Sequence, residues 1–204
     1  MPQRRTVQSI AFCLVALVAM TVLDLWTKDW AQERLSVAPA VAQAPACTPD
    51  KNGRFSSQRR GTDIVELVPN YLALRYAENC GAAFGTLDEA PRVLRIVLFT
   101  SAALIAVGAL LWMFVRGHGG PLFAASVPFI ASGAIGNMID RLRLGYVVDF
   151  IHFHVYDKFH WPTFNIADTT ITIGVALLLL DGLRRPEAET KPDARPERAG
   201  TGNA

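Results

Sequence analysis

GAIGNMIDRLRLGYVVDFIHFHVYDKFHWPTFNIAD, residues 133–168, is the stretch on which the fold turns. Apolar segments at 121–139 and 169–183 flank it, which places its polar residues at or near a membrane boundary. It holds the acids Asp140, Asp149, Asp157 and Asp168, the asparagines Asn137 and Asn165, and Arg141 directly behind an acid. Carboxylates are costly at membrane depth, so an ionisable group there is a functional candidate by default.

The composition agrees with a membrane setting. The chain has 204 residues, enough for one domain with tails, and 51% of them are hydrophobic. A net charge of +2, with basic residues confined to the tails and one loop, argues against a nucleic-acid partner. The cysteines Cys13, Cys47 and Cys80 show no metal-type spacing. Cys13 lies in an apolar run. Cys47 and Cys80 share one loop, where they are either two free thiols or a pair joined in an oxidising compartment.

Outward from the central stretch, the chain reads as four spans. Residues 1–8 are short and basic, and the apolar run behind them closes on Asp24, Trp26, Lys28 and Trp30. That run is long for a signal peptide and lacks a small-residue cleavage site directly after it, so it is read as a first transmembrane helix. Asp24 and Lys28, four apart, share one helix face and can pair. The expected spans are about 9–30, 92–115, 121–140 and 166–183, with loops at 31–91 and 141–165 and a disordered tail at 184–204. Within the first loop, 36–62 is a Pro/Ala/Ser-rich insertion, and 63–76 alternates apolar and polar residues around Pro69-Asn70, as a β-hairpin does. AENCGAAFGTL follows, with Asn79, Gly81 and Gly85.

The expected fold is therefore an all-α membrane protein: four transmembrane helices with a small extracytoplasmic β-hairpin or cradle. Arginines at the short flanks (Arg4, Arg5, Arg116, Arg184 and Arg185) put both termini in the cytoplasm. Arg54, Arg59 and Arg60 in the long first loop run against that rule, which long loops follow poorly.

Asn165 is a favourable N-cap and Asp168 lies at the N3 position behind it, where the helix dipole favours an ionised carboxylate. Asp149 sits in the apolar, β-prone run GYVVDF, where a lone carboxyl is pushed towards its neutral form. Brought together, the two share a proton, one acting as base and the other as acid, which is the aspartic-protease arrangement. Asn137, Asp140 and Arg141 take supporting places. His152 and His154, with Asp149, raise the rival of a metal site; no HExxH occurs, and no metal is assigned. A second rival is a small transporter that uses Asp24, Asp140, Asp149 and Asp168 as a proton relay. Such a relay needs ionisable groups through the bilayer, whereas these acids gather on one face.

DLWTK (24–28), NCGAAFG (79–85), GNMIDRLRLGYVVDF (136–150) and FNIAD (164–168) together resemble the bacterial lipoprotein signal peptidases, the type II signal peptidases. The resemblance covers roughly residues 22–183. It implies a four-helix inner-membrane aspartic endopeptidase, without metal or organic cofactor, monomeric and embedded among membrane lipids. Its substrates would be prolipoproteins, cut on the amino side of a diacylglyceryl-modified cysteine near the outer membrane face, and globomycin its inhibitor. By that resemblance the catalytic dyad falls on Asp149 and Asp168. Asn137, Asp140, Arg141 and Asn165 match the polar shell, Asn79 and Gly81 the outer-loop motif, and Asp24 and Lys28 the first-helix motif. Cys80 stands where the family often has threonine, and the insertion at 36–62 is longer than usual.

Overall fold

A computed structural model describes residues 5–38, 47, 57–81, 91–156 and 158–184. Among them, four helices are long and apolar enough to cross a membrane. Helix α1 (Val7–Arg34) starts behind Thr6, whose hydroxyl accepts the Ser9 N–H at 3.2 Å. Helix α2 (Arg92–Val115) follows Pro91, and α3 (Pro121–Arg143) opens on a proline, whose missing N–H costs nothing in a first turn. Helix α4 (Ile166–Leu183) starts on the capping box that Asn165 and Asp168 form together. The four-helix membrane fold with a small β element is the one expected from sequence.

That β element is an antiparallel sheet ordered β3-β4-β5-β6, made of Val65–Val68, Leu72–Asn79, Val147–Val155 and Phe159–His160. A two-stranded ribbon, β1 (Ser36–Val37) with β2 (Arg60–Gly61), lies beside it. The turn from β3 to β4 puts Asn70 at φ 67°, a left-handed conformation that asparagine tolerates better than most residues. Strand β5 has β4 on one side and β6 on the other, so pleating sorts its side chains between two faces. Val148 and Phe150 pack with Tyr76 and Tyr146 against Ala31 and Leu35 at the end of α1. Asp149, between them in sequence, points to the opposite face.

Cys47 and Cys80 are joined in a disulfide, with Cα atoms 5.4 Å apart, which resolves the alternatives left by the sequence. Arg95, in the first turn of α2 and buried, donates to the Cys47 carbonyl at 2.5 Å. The bonded segment is thereby held to a helix as well as to the sheet. Cys13 is a buried free thiol in α1. Gly85, most of the insertion, Asp157 and the tail from 185 onwards lie outside the described residues.

Helix α3 is the hub of the bundle, and its small residues set the approach distances. A Cβ at Gly133 would lie 2.3 Å from the Ala167 carbonyl oxygen of α4, and one at Gly136 would lie 2.2 Å from Asp24 Oδ2 of α1. At the far end of the helix pair, Asp181 of α4 accepts the Gly120 N–H at 3.0 Å. The Gly136 contact carries a prediction, because alanine normally helps a helix interior by about 1 kcal/mol. Gly136→Ala should instead destabilise by about 1–3 kcal/mol through overpacking against a fixed carboxylate. Gly108→Ala, with nothing within 4 Å of its added methyl, should be neutral or stabilising. Thermal midpoints in detergent compare the two; equal signs would contradict the steric account.

Candidate active site

The polar residues of the four sequence motifs assemble where one end of the bundle meets the sheet. Asn165 is fully buried and connects the parts. Its Nδ2 donates to Asp149 Oδ1 at 2.7 Å, to Asn137 Oδ1 at 3.2 Å and to the Val148 carbonyl at 3.3 Å. Its Oδ1 accepts the Asp168 N–H at 3.0 Å, and its own N–H donates to Asp168 Oδ2 at 3.2 Å. One capping asparagine thus holds a carboxylate from β5 and a carboxylate from the first turn of α4.

The remaining oxygens of both acids also have donors. Asn79, at the end of β4, donates to Asp149 Oδ2 at 3.0 Å, and its Oδ1 accepts the Gly81 N–H at 3.2 Å. The register that pairs Asn79 with Val147 and Ala77 with Asp149 brings these groups side by side. Asn137 of α3 donates to Asp168 Oδ1 at 2.9 Å. Asp168 is half-buried, whereas Asp149 is 2% exposed. Burial, followed by repulsion from Asp168, pushes the Asp149 carboxyl up to about 7, against the weaker opposing pull of the Asn79 and Asn165 hydrogen bonds. The two carboxyls thus sit in different surroundings on either side of one asparagine, and Asp149 keeps its proton to a higher pH than an ordinary carboxyl.

Behind this pair lies a layer of buried charge. Lys28, 1% exposed, reaches Asp24 Oδ2 at 2.8 Å and Asp140 Oδ2 at 3.4 Å, and donates to Asn137 Oδ1 at 2.8 Å. Both partners also accept from backbone: Asp24 Oδ1 from the Ala167 N–H at 2.8 Å, and Asp140 Oδ2 from the Val148 N–H at 3.1 Å. The Lys28–Asp24 pairing expected from the four-residue spacing is present, and it is buried. It ties α1 to the first turn of α4 and to the start of β5. Arg141 stands at the edge, donating to the Asn137 carbonyl at 3.3 Å with its guanidinium 4.8 Å from the Phe99 ring centroid.

Ten of the residues singled out from sequence therefore belong to one connected set: Asp24, Lys28, Asn79, Gly81, Asn137, Asp140, Arg141, Asp149, Asn165 and Asp168. The metal rival is not among its features, because pleating turns His152 and His154 away from the face that carries Asp149. Three contributors were not anticipated: the Ala167 and Val148 backbone N–H groups and the clearance at Gly136. Gly136 had a signal, since GAIG and FNIAD both place small residues where helices could touch. The backbone donors had none, because any residue supplies an N–H.

A family model for signal peptidase (SPase) II matches residues 15–184. Proteins called lipoprotein signal peptidase are among the chain's relatives. The one from Clostridium tetani is 34% identical over 167 residues, covering 82% of this chain and 89% of its own. The one from Aquifex aeolicus is 43% identical over 119 residues, covering 58% and 70%. Two solved structures described as bacterial membrane enzymes share the fold. The 2.3 Å structure has a TM-score of 0.64 at 24% identity and covers 96% of this chain and 99% of its own. The 1.9 Å structure has a TM-score of 0.62 at 25% identity, covering 91% and 99%.

Proposed function

The chain belongs to the signal peptidase II family, and from that premise we propose that it is an aspartic endopeptidase acting on prolipoproteins. Cleavage falls on the amino side of a diacylglyceryl-modified cysteine, and Asp149 and Asp168 are the dyad that activates water. The observation that carries this reading is Asn165, which hydrogen-bonds both aspartates at once.

In this mechanism Asp168 is the base. It lies at a helix N-terminus, accepts from Asn137 and from the Asn165 N–H, and is the more exposed of the two acids. It takes one proton from water while the oxygen attacks the scissile carbonyl. Asp149, in its protonated form, gives its proton to the departing cysteine nitrogen as the C–N bond breaks. Asp168 then holds the proton taken from water, and its transfer to Asp149 resets the pair.

The pH dependence follows from the direction of the Asp149 shift. A carboxyl raised to about 7 is a competent acid below that pH and loses its proton above it. The expected kcat/KM therefore falls along an alkaline limb with an apparent pKa near 7, which belongs to the pair rather than to either acid. A profile that stays flat from about pH 6 to about pH 9 would remove Asp149 from the acid role.

Support for the membrane setting comes from both ends of the bundle. The Cys47–Cys80 bond suits an oxidising, extracytoplasmic side, where the sheet and the dyad then lie. Arg5, Arg116 and Arg184 gather at the other end, as cytoplasmic flanks do in a bacterial inner membrane. Acyl chains of the substrate lie among membrane lipids against the helices, globomycin competes for the same site, and the unit is a monomer. The test is cleavage of a diacylglyceryl-modified prolipoprotein by purified protein, beside the unmodified precursor. Cleavage of the modified form alone, blocked by globomycin, is the expected result. Equal cleavage of both precursors would refute the lipid requirement, and no cleavage by folded protein would refute the reading itself. The relay alternative draws no support: between Asp168 and Asp181, α4 carries no ionisable side chain.

A further inference from the structure

On the sheet face opposite the dyad lies a second cluster that the peptide chemistry does not use. His152 and His154, two apart on β5, project from the same side. His160 on β6 pairs directly with His154, and on the other flank the row Glu66–Ala73–His152 runs across β3, β4 and β5. Directly opposed residues share a face, so all three imidazoles and the Glu66 carboxylate stand together. Ala73, fully buried, is small enough to leave the space above it to them. The rings are nearly parallel, with centroids 5.4–5.8 Å apart.

We propose that His152, His154 and His160, with Glu66, form a binding site for a divalent transition-metal ion of the zinc type. Two ligand pairs are already spaced for it. His152 Nε2 and His160 Nδ1 are 3.2 Å apart, and His154 Nε2 and Glu66 Oε1 are 3.4 Å apart. Ligands about 2.0–2.1 Å from a tetrahedral zinc are separated by about 3.3 Å. The tautomer of His154 is also suitable. Its Nδ1 lies 3.2 Å from the Tyr156 carbonyl, which can only accept, so Nδ1 carries the proton. Its Nε2 is buried and turned towards the Glu66 carboxylate. A ligating histidine commonly donates its other N–H to a carbonyl in this way.

The surrounding charge is mixed. Arg75 on β4 opposes a cation and Glu66 on β3 favours one. Among the described residues no three of these groups yet converge on one point. Side-chain rotations that join the two pairs therefore accompany binding.

The experiment is calorimetric titration of zinc into the full chain, without a polyhistidine tag, in detergent at neutral pH. Expected are one site per chain, a rise in thermal midpoint with zinc, and tetrahedral absorption bands when cobalt replaces zinc. His160→Ala, at an exposed position of the edge strand, should weaken binding at least about tenfold, equivalent to about 1.4 kcal/mol. Glu66→Gln should weaken it too, and His118→Ala, at the other end of the bundle, should leave it unchanged. Both cluster variants should keep the metal-free thermal midpoint, which separates a lost ligand from a lost fold. No saturable binding, or binding unaffected by His160→Ala and Glu66→Gln together, would overturn the site. The result is independent of peptidase activity, because no group of the dyad network is altered.

Discussion

Asp149→Asn and Asp168→Asn are each expected to lower cleavage of a diacylglyceryl-modified prolipoprotein by about 10²–10⁴-fold, the range for a lost general acid or base. Both changes are nearly isosteric, so the loss is chemical. In the first variant the new carboxamide keeps an oxygen for one of its two amide donors but carries no transferable acidic proton. In the second the carboxamide still sits at N3 of α4 but lacks the charge that draws a proton from water. Because the proposed mechanism uses the two acids as a unit, the double variant should cost little more than either single one. Rates and thermal midpoints measured on the same preparations decide the matter. Cleavage within about threefold of wild type in either folded variant would exclude that residue from the dyad.

The second large effect is on stability. Lys28→Met should destabilise the protein by about 3–5 kcal/mol, the usual cost of removing one partner from a buried ionic group. The reason is local. Lys28 is the cation placed between Asp24 and Asp140, and all three are 1–2% exposed. Without it two carboxylates face each other in the bundle, and Asn137 loses the donor that fixes its amide towards Asp168. Neutralising the acids as well, in Lys28→Met with Asp24→Asn and Asp140→Asn, should recover much of the loss, because isolated charge rather than missing packing is the cost. Urea midpoints of the single and triple variants test this. A triple variant less stable than Lys28→Met alone would show that the ion pairs contribute more than they cost.

Much of this site was legible because its parts are local. The four spans follow from apolar runs of bilayer length, and the Asn165–Asp168 capping box from a three-residue spacing. The Asp24–Lys28 pair follows from a four-residue spacing. Each is a statement about neighbours on one element. What stayed hidden depends on contacts between distant elements. Nothing near Lys28 in sequence signals that its second carboxylate is Asp140, which arrives from another helix. Arg95, near the start of an apolar span, reads as a boundary charge, yet it turns inward to the Cys47 carbonyl. Asp181 reads as the end of the last span, but it accepts from the N-cap of α3. The histidines were weighed with Asp149 as a possible metal set, and the pleat of β5 divides that set between two faces. Period-two alternation assigned His152 and His154 to one side. Which of them meet Glu66 and His160 depends on the register of two further strands.

The Cys47–Cys80 bond also bears on how the molecule is made. Both sulfurs precede Arg92, where α2 begins. In the proposed orientation, where the first loop crosses the membrane, the covalent link can close while the C-terminal half is still being synthesised. Helix α3, strand β5 and the cap of α4 then arrive against an outer segment already tied down, with Asn79 one residue from the knot. The two proposed catalytic acids come from these late parts, so the pair cannot meet before translation has passed Asp168. A newly made chain therefore carries its clasp well before it has the pair of acids proposed to cut.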